Sequence, residues 1–330
     1  MNLADITVVL PIYGESPFLM PSLLSIEELL KLGSRLLVID DGGIPFSVSL
    51  ILENWIENNP GLKITIVKNA TNLGLFKSLN QNIDRVDTSW LVFLCSDDVF
   101  LKDAASVLGA LQLSGEAELI ISRFRSINED STTRFDDCAF QYSHITQKGN
   151  TLNSTQMLAS MLRFGSLNGN LTGMLLTKKL WNSTGGFNSN WVHAADWDWL
   201  VRAAEMTDTY INQIPFAAVR THSGQLSHSN LLKGSTIREC SLVIRRLKNH
   251  PMLLNKYPTR WWAACLIQFQ AWNLIKLTST TLDLPKFFNL LKYIQQVSPI
   301  WLVCLAMAFS VPERIIRRLQ MKQVSSTMMQ

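Results

Sequence analysis

Cysteine is scarce and scattered in this 330-residue chain. The five (Cys95, Cys138, Cys240, Cys265, Cys304) are odd in number and show neither CxxC nor His-paired spacing. That argues against a disulfide framework or a zinc site and predicts a reducing, cytosolic setting. Charge is also thin, 17% against 47% hydrophobic residues, which supports a sizeable core and is low for a purely water-solvated protein. Long apolar runs are missing. Trp261 to Leu277 is interrupted by Gln268, Gln270 and Asn273, and Ile300 to Val311, bounded by Pro299 and Pro312, is 12 residues where about 20 are needed to span a bilayer. The amino terminus has no basic patch followed by an apolar stretch, which predicts no signal peptide. No internal repeat is present.

The length suits one large α/β domain with an extension, or two modest domains. A net charge of +4 hides an asymmetry: from Lys233 onward there are 14 Lys/Arg against three acids (Glu239, Asp283, Glu313), leaving 16 basic and 23 acidic side chains in residues 1–232. An acidic body (1–100 and 101–232) followed by a basic, mainly helical extension (233–330) points to an extension that meets an anionic surface. Packing of that extension as a helical cap on the body is an equal alternative. Nucleic acid fits poorly, because the basic residues interleave with apolar stretches and not with a polar face.

Strand and helix signals alternate over the first hundred residues. Ile6–Leu10, Leu36–Ile39, Ile64–Val67 and Trp90–Leu94 read as strands, and 18–32, 48–58 and 75–86 as helices. Continuous apolar strands between helices predict a parallel sheet covered on both faces. Further strands are expected at 119–121 and 173–176. Ligands bind such sheets at the carboxyl ends of the strands, and here every strand end is polar: Tyr13/Glu15, Asp40/Asp41, Asn69/Asn72 and Ser96/Asp97/Asp98.

Two adjacent carboxylates at a buried strand end are costly without a cation. A hard dication with oxygen ligands, Mg2+ or Mn2+, is the usual remedy. By itself the Asp97-Asp98 pair reads equally as a solvated turn or a helix cap, and Asp40-Asp41-Gly42-Gly43 reads better as a turn. In WVHAADWDWLVR (191–202), Asp196 in the first turn of a helix is a candidate general base, and the tryptophans are candidate platforms for a sugar ring. Helix-dipole complementarity explains one Asp as well. His222 follows an apolar strand in RTHSGQLS, where a lone His is more often structural.

In order, VVLPIYGES, LLVIDDGG, NLGLFKSLNQNI, WLVFLCSDDVF, TGGFN, AADWDWLVRAA and RTHSGQLSHS resemble the family 2 glycosyltransferases with the GT-A fold, the bacterial surface-polysaccharide type among them. The resemblance covers roughly residues 5–230. It implies a Rossmann-like, mainly parallel sheet flanked by helices, with residues 1–232 as the catalytic domain. Pro11, Tyr13, Glu15 and Asp41 then hold base and ribose, and Asp97 lies near the ribose. Asn72, Gly74, Lys77 and Ser96 complete the expected nucleotide-sugar set. Asp98 is expected on the metal, His222 facing the metal or diphosphate, and Asp196 as catalytic base. The sequence departs from the family where Cys95 and Ala195 replace common acids, and the second loss leaves Asp196 as the one base candidate there.

The implied activity is inverting transfer from a UDP-, dTDP- or GDP-sugar to a hydroxyl of a glycan or lipid-linked acceptor. Mn2+ or Mg2+ is the expected cofactor. The implied location is cytoplasmic, peripheral on the inner leaflet. A QxxRW-like string is missing, which favours single addition over polymer synthesis. A nucleotidyltransferase would carry a glycine-rich basic loop where Pro11-Ile12-Tyr13-Gly14-Glu15 stands. A non-catalytic sugar-nucleotide binder is the remaining alternative, and convergence of Asp98, Asp196 and His222 discriminates against it.

Overall fold

The computed structural model describes residues 3–115, 117–134, 144–147, 149–167 and 171–310. Cys138 and the charged tail residues Glu313, Arg314, Arg317, Arg318 and Lys322 lie outside them. The chain divides into two compact units, 1–157 with 166–223, and 158–165 with 224–330. The division falls at Ser223/Gly224, ahead of the charge shift at Lys233.

In the first unit β1 (Ile6–Ile12), β2 (Arg35–Asp40), β3 (Lys63–Lys68) and β4 (Trp90–Phe93) alternate with helices α1 (Leu19–Lys31), α2 (Phe46–Glu57) and α3 (Leu75–Asn82). A 3-10 turn, Ile83–Arg85, extends α3, so the helical signal over 75–86 resolves into two pieces. β1, β2 and β4 are apolar because nearly every residue is buried, which silences the alternation of a half-exposed strand. The chain continues through β5 (Val99–Phe100), α4 (Ala104–Ser114), β6 (Leu119–Ser122), β7 (Arg125–Ile127), β8 (Thr151–Leu152), α5 (Ser154–Phe164), β9 (Met174–Thr177), α6 (Lys178–Thr184), α7 (Ala195–Met206), β10 (Thr209–Asn212) and β11 (Ala217–Arg220).

Eight strands form one sheet in the order β3-β2-β1-β4-β9-β6-β10-β8. β3, β2, β1 and β4 pair in parallel, whereas β9 runs against both β4 and β6. The sheet is therefore mixed, with the parallel block at the amino-terminal half. β3 departs from the expected burial: it is an edge strand, and Ile66 is 47% exposed. A small sheet, β5-β11-β7, sits beyond β4 and brings the end of β11 to the turn after β4. One core cluster runs from Ile6, Val8 and Leu10 of β1 to Leu23 and Ile26 of α1 and Val92 of β4.

In the second unit helices follow one another: α8 (Leu226–Lys233), α9 (Ser235–Lys248), α10 (Thr259–Thr281), α11 (Leu284–Val297) and α12 (Ile300–Ser310). Ile237, Val243, Ile244 and Leu247 of α9, Ala263 and Ile267 of α10 and Ile294 of α11 are among its buried residues.

Candidate active site

β4 delivers the chain to Cys95-Ser96-Asp97-Asp98, and a tight turn, Asp98 N–H to the Cys95 carbonyl at 3.0 Å, sends it into β5. The turn is held from α1. The buried Ser22 hydroxyl donates to the carbonyls of Asp98 and, at 3.1 Å, of Ser96, and Ser16 donates to the latter at 3.1 Å.

The two aspartates part company here. Asp98 is 1% exposed; its Oδ1 accepts the Arg220 backbone N–H at 2.8 Å and its Oδ2 the Thr172 hydroxyl at 2.5 Å. Burial, then repulsion from Asp97, pushes its carboxyl up to about 8, against the bonds from Thr172 and Arg220. Asp97 is more open, and its Oδ2 lies 3.1 Å from His222 Nε2. The expectation that Asp98 faces the metal with His222 therefore meets a different arrangement. Asp97 is the carboxylate beside the imidazole, and Asp98 turns into the protein, where its oxygens are engaged.

Arg220 was not singled out from sequence, yet it braces the site. Buried to 1% exposure, it donates from Nε to the Asp97 carbonyl (2.9 Å) and from Nη1 to the carbonyls of Asn128 (3.0 Å) and Glu129 (2.9 Å) and to Ser131 Oγ (2.9 Å). Its guanidinium stacks 4.6 Å over the ring of Phe18, which also packs against His222. The signal was its place directly after an apolar strand and two residues before His222. Thr172 and Ser22 carried no such signal, since single hydroxyl residues are common everywhere.

Cys95 stands beside both carboxylates: its sulfur and one oxygen of each aspartate lie within 4.8 Å of one another. Burial first, then Asp98, Asp97 and, more weakly, Asp196 push its thiol well above the ordinary range, against a hydrogen bond with Thr172. It is a neutral thiol, a poor ligand for a hard cation. Asp97 with His222, backed by a second carboxylate whose proton is held by burial and by repulsion from Asp97, does fit a divalent cation with oxygen and nitrogen ligands.

Asp196 lies in the first turn of α7, where its Oδ1 accepts the Trp197 backbone N–H at 2.8 Å. Its charge is the weakest of those that push the Cys95 thiol up. Asp198 is committed elsewhere: it pairs with Arg202 Nε at 3.1 Å, and Arg202 donates to the carbonyls of Thr184 (2.7 Å) and Gly186 (2.8 Å). Trp197 and Trp199 are 5% and 0% exposed. Trp199 packs with Trp181 and Phe187 and donates to the Gly185 carbonyl at 2.9 Å. These two indoles are core, and the platform expected of them is not presented to a sugar.

The nucleotide half is built by clamping two strand ends. Asp41 is buried; its backbone N–H donates to Ile12 at 2.9 Å and its Oδ1 accepts Asn69 Nδ2 (2.9 Å) and the Leu73 N–H (3.0 Å). Gly42, at φ +70°, lies so close to the 69–71 backbone that a Cβ would sit 2.7 Å from the Thr71 carbonyl oxygen. Pro11 is buried and Tyr13 is 56% exposed, with its ring over Gly43. Asn72 is exposed and accepts the N–H of Gly74, whose φ is +83°. Ser96 presents its carbonyl to α1. Glu15 and Lys77 are exposed, and no hydrogen bond or ion pair among the described residues ties either to the aspartates. A separate cavity of about 340 Å3, lined by Arg35, Lys63, Arg85 and Asp87 among others, opens at the amino ends of β1–β3, away from all these residues.

A parallel block whose strands end in this polar rim, followed by an aspartate pair, a histidine and a later carboxylate, is the arrangement of a GT-A-type fold. Residues 7–166 match the model of Glycosyl transferase family 2. Among solved structures it resembles S. aureus TarS (15% identity, TM-score 0.62), covering 89% of this chain and 49% of that one. It also resembles S. aureus TarS 1–349 in complex with UDP-GlcNAc (13%, TM-score 0.59, 89% and 81% covered). A third is the mannosyltransferase PcManGT from Pyrobaculum calidifontis in complex with GDP-Man and Mn2+ (13%, TM-score 0.53, 93% and 86% covered). At such identities the likeness is one of fold, and the chain spans about half the length of full TarS. No curated protein matches its sequence.

Proposed function

We propose that this protein transfers a sugar from a nucleoside-diphosphate donor to an acceptor hydroxyl, with inversion at the anomeric carbon. The observation that carries the reading is Asp97 beside His222 at 3.1 Å at the end of β4. Of the residues that discriminate against a non-catalytic binder, His222 stands at that strand end. The solved relatives carry UDP-GlcNAc, UDP or GDP-Man, which supports a nucleotide-sugar donor. The acceptor we assign is a hydroxyl of a glycan or lipid-linked glycan in surface-polysaccharide assembly.

Asp97 and His222 would hold the divalent cation, with Asp98 as its buried support. A bound Mn2+ or Mg2+ supplies positive charge to the departing diphosphate, so no protonated acid is needed at that oxygen. The rest falls to the chain. Tyr13, Asp41 and the 69–74 loop bind and orient the nucleotide, with Pro11 and Ser96 shaping the floor, Glu15 and Asn72 on its rim, and Lys77 adding charge. Asp196 takes the acceptor proton; the acceptor oxygen bonds to the anomeric carbon from the far face as the bond to the diphosphate oxygen breaks, its electron pair leaving with the diphosphate. One base suffices, unlike the paired carboxylates of glycoside hydrolysis.

The test is Asp196→Asn, assayed against UDP-, dTDP- and GDP-sugars. Donor binding should persist while transfer falls by roughly 10²–10⁴-fold, the loss typical of removing a general base. Near-normal turnover in the variant would sink the assignment.

A further inference from the structure

The second unit carries an apolar surface that its own charge pattern explains. α12 has no charged residue, and Ile300, Trp301, Cys304, Leu305, Ala308 and Phe309 are all exposed, Trp301 and Phe309 to 68% each. Their spacing places them on one face, and Val303 and Ala306, 2% exposed, on the other. A helix apolar all round belongs in an interior or against lipid, and this one shows half its girth to solvent. The edge-on packing of Phe309 on Trp261 of α10 fixes its orientation within the unit. On α11, Leu284 and Phe288, four apart, are 60% and 59% exposed.

Cations accompany that surface. The described residues of the unit hold 11 Lys/Arg against two acids, Glu239 and Asp283, and Glu239 is fully buried and paired with Arg238 at 3.1 Å. A cavity of about 280 Å3 at the amino end of α9 is lined by Lys233, Arg238, Lys286, Ser235, Asn289 and Tyr293, with no acid among its lining residues. Lys233, Arg238 and Lys286 make this recess basic, and Lys286 also donates to the Leu232 carbonyl at 2.7 Å.

We propose that this unit docks in the plane of an anionic lipid bilayer, with the α12 face sunk into the interface and the unit's basic side chains drawn to the headgroup phosphates. Charge complementarity selects lipid over a second copy of the chain, whose equally basic unit would be repelled. Basic residues beside Trp, Phe and Leu are what binds an interfacial helix to such a surface. Among the described residues no single helix is long and apolar enough to cross it: α11 and α12 meet at a bend of 88°, and α12 is about 16 Å long at 1.5 Å per residue, roughly half the hydrocarbon thickness. This inference is independent of the catalytic assignment.

Full-length protein would be co-sedimented with vesicles of phosphatidylcholine alone and with about a third phosphatidylglycerol. Binding should favour the anionic vesicles by about tenfold or more and weaken with salt. Trp301→Ser with Phe309→Ser should lower partitioning on anionic vesicles about tenfold at unchanged melting temperature. Lys233→Ser with Lys286→Ser should reduce the preference for anionic over neutral vesicles. Equal binding to both vesicle types, or undiminished binding of the Trp301/Phe309 variant, overturns the proposal. So does light scattering that shows an oligomer which the same variant dissociates, because the face is then a contact between copies.

Discussion

Asp98 sits among groups that compete over its proton. Burial and the neighbouring Asp97 raise its carboxyl to about 8, so in metal-free protein the folded state holds a proton that the unfolded chain releases near 4. The sign follows: between those values the native state binds more protons, so stability falls as pH rises from about 4 to about 8. A series of melting temperatures in EDTA from pH 5 to 9 should decline over that window, and Asp98→Asn should flatten the decline. Added Mn2+ favours the charged form and should raise the melting temperature more at pH 8.5 than at pH 6. A second residue-scale prediction separates the two aspartates. Calorimetric titration with Mn2+ alone should show binding abolished in Asp97→Asn but saturable in Asp98→Asn, weakened by up to roughly 10–100-fold as for an outer-shell partner. Loss of binding in Asp98→Asn with normal binding in Asp97→Asn would restore the metal role to Asp98.

At the scale of elements, the motifs work by tying strand ends to loops. In NLGLFKSLNQNI, Asn80 exchanges two hydrogen bonds with the backbone of Phe187, at 2.7 and 2.8 Å, and its side chain fills the space a Cβ at Gly186 would need. Arg202, paired with Asp198, grips the other side of the same Gly-Gly turn. α3 is thereby joined to the turn that precedes α7, the helix that carries Asp196. Asn80→Ala strands the Phe187 N–H and carbonyl and should cost roughly 1–3 kcal/mol in denaturant unfolding. An unchanged midpoint would show that the turn holds without it. The motif was readable as a string, but its partner lies 107 residues away, and no local pattern names a partner at that distance.

At the scale of the molecule, residues 158–165 belong with 224–330 and not with the sheet that surrounds them in sequence. Leu158, Met161 and Leu162 are fully buried, and exposing each costs about 1.5–3 kcal/mol. A chain truncated after Ser223 keeps these residues and loses the rest of their unit, so it should aggregate on size exclusion. A soluble monomer with the melting temperature of the full chain would contradict the division. The charge asymmetry read at Lys233 marks nearly the same place, because the basic residues serve the second unit's surface.

The alternation of buried strands and helices, the polar strand ends and the ordered motifs were determined by sequence alone, since apolar periodicity and turn chemistry are local. The place of Asp196 in the first turn of a helix was legible for the same reason, because a helix start is a local pattern. What only the tertiary structure decided is which way each aspartate of the pair faces. Adjacent residues at a strand end point to opposite sides, and the side that becomes interior is set by Thr172 and Arg220, 74 and 122 residues away. It likewise turned Trp197 and Trp199 into core and left Trp301 in solvent, because burial depends on which surfaces meet, and a tryptophan's neighbours in sequence do not say that.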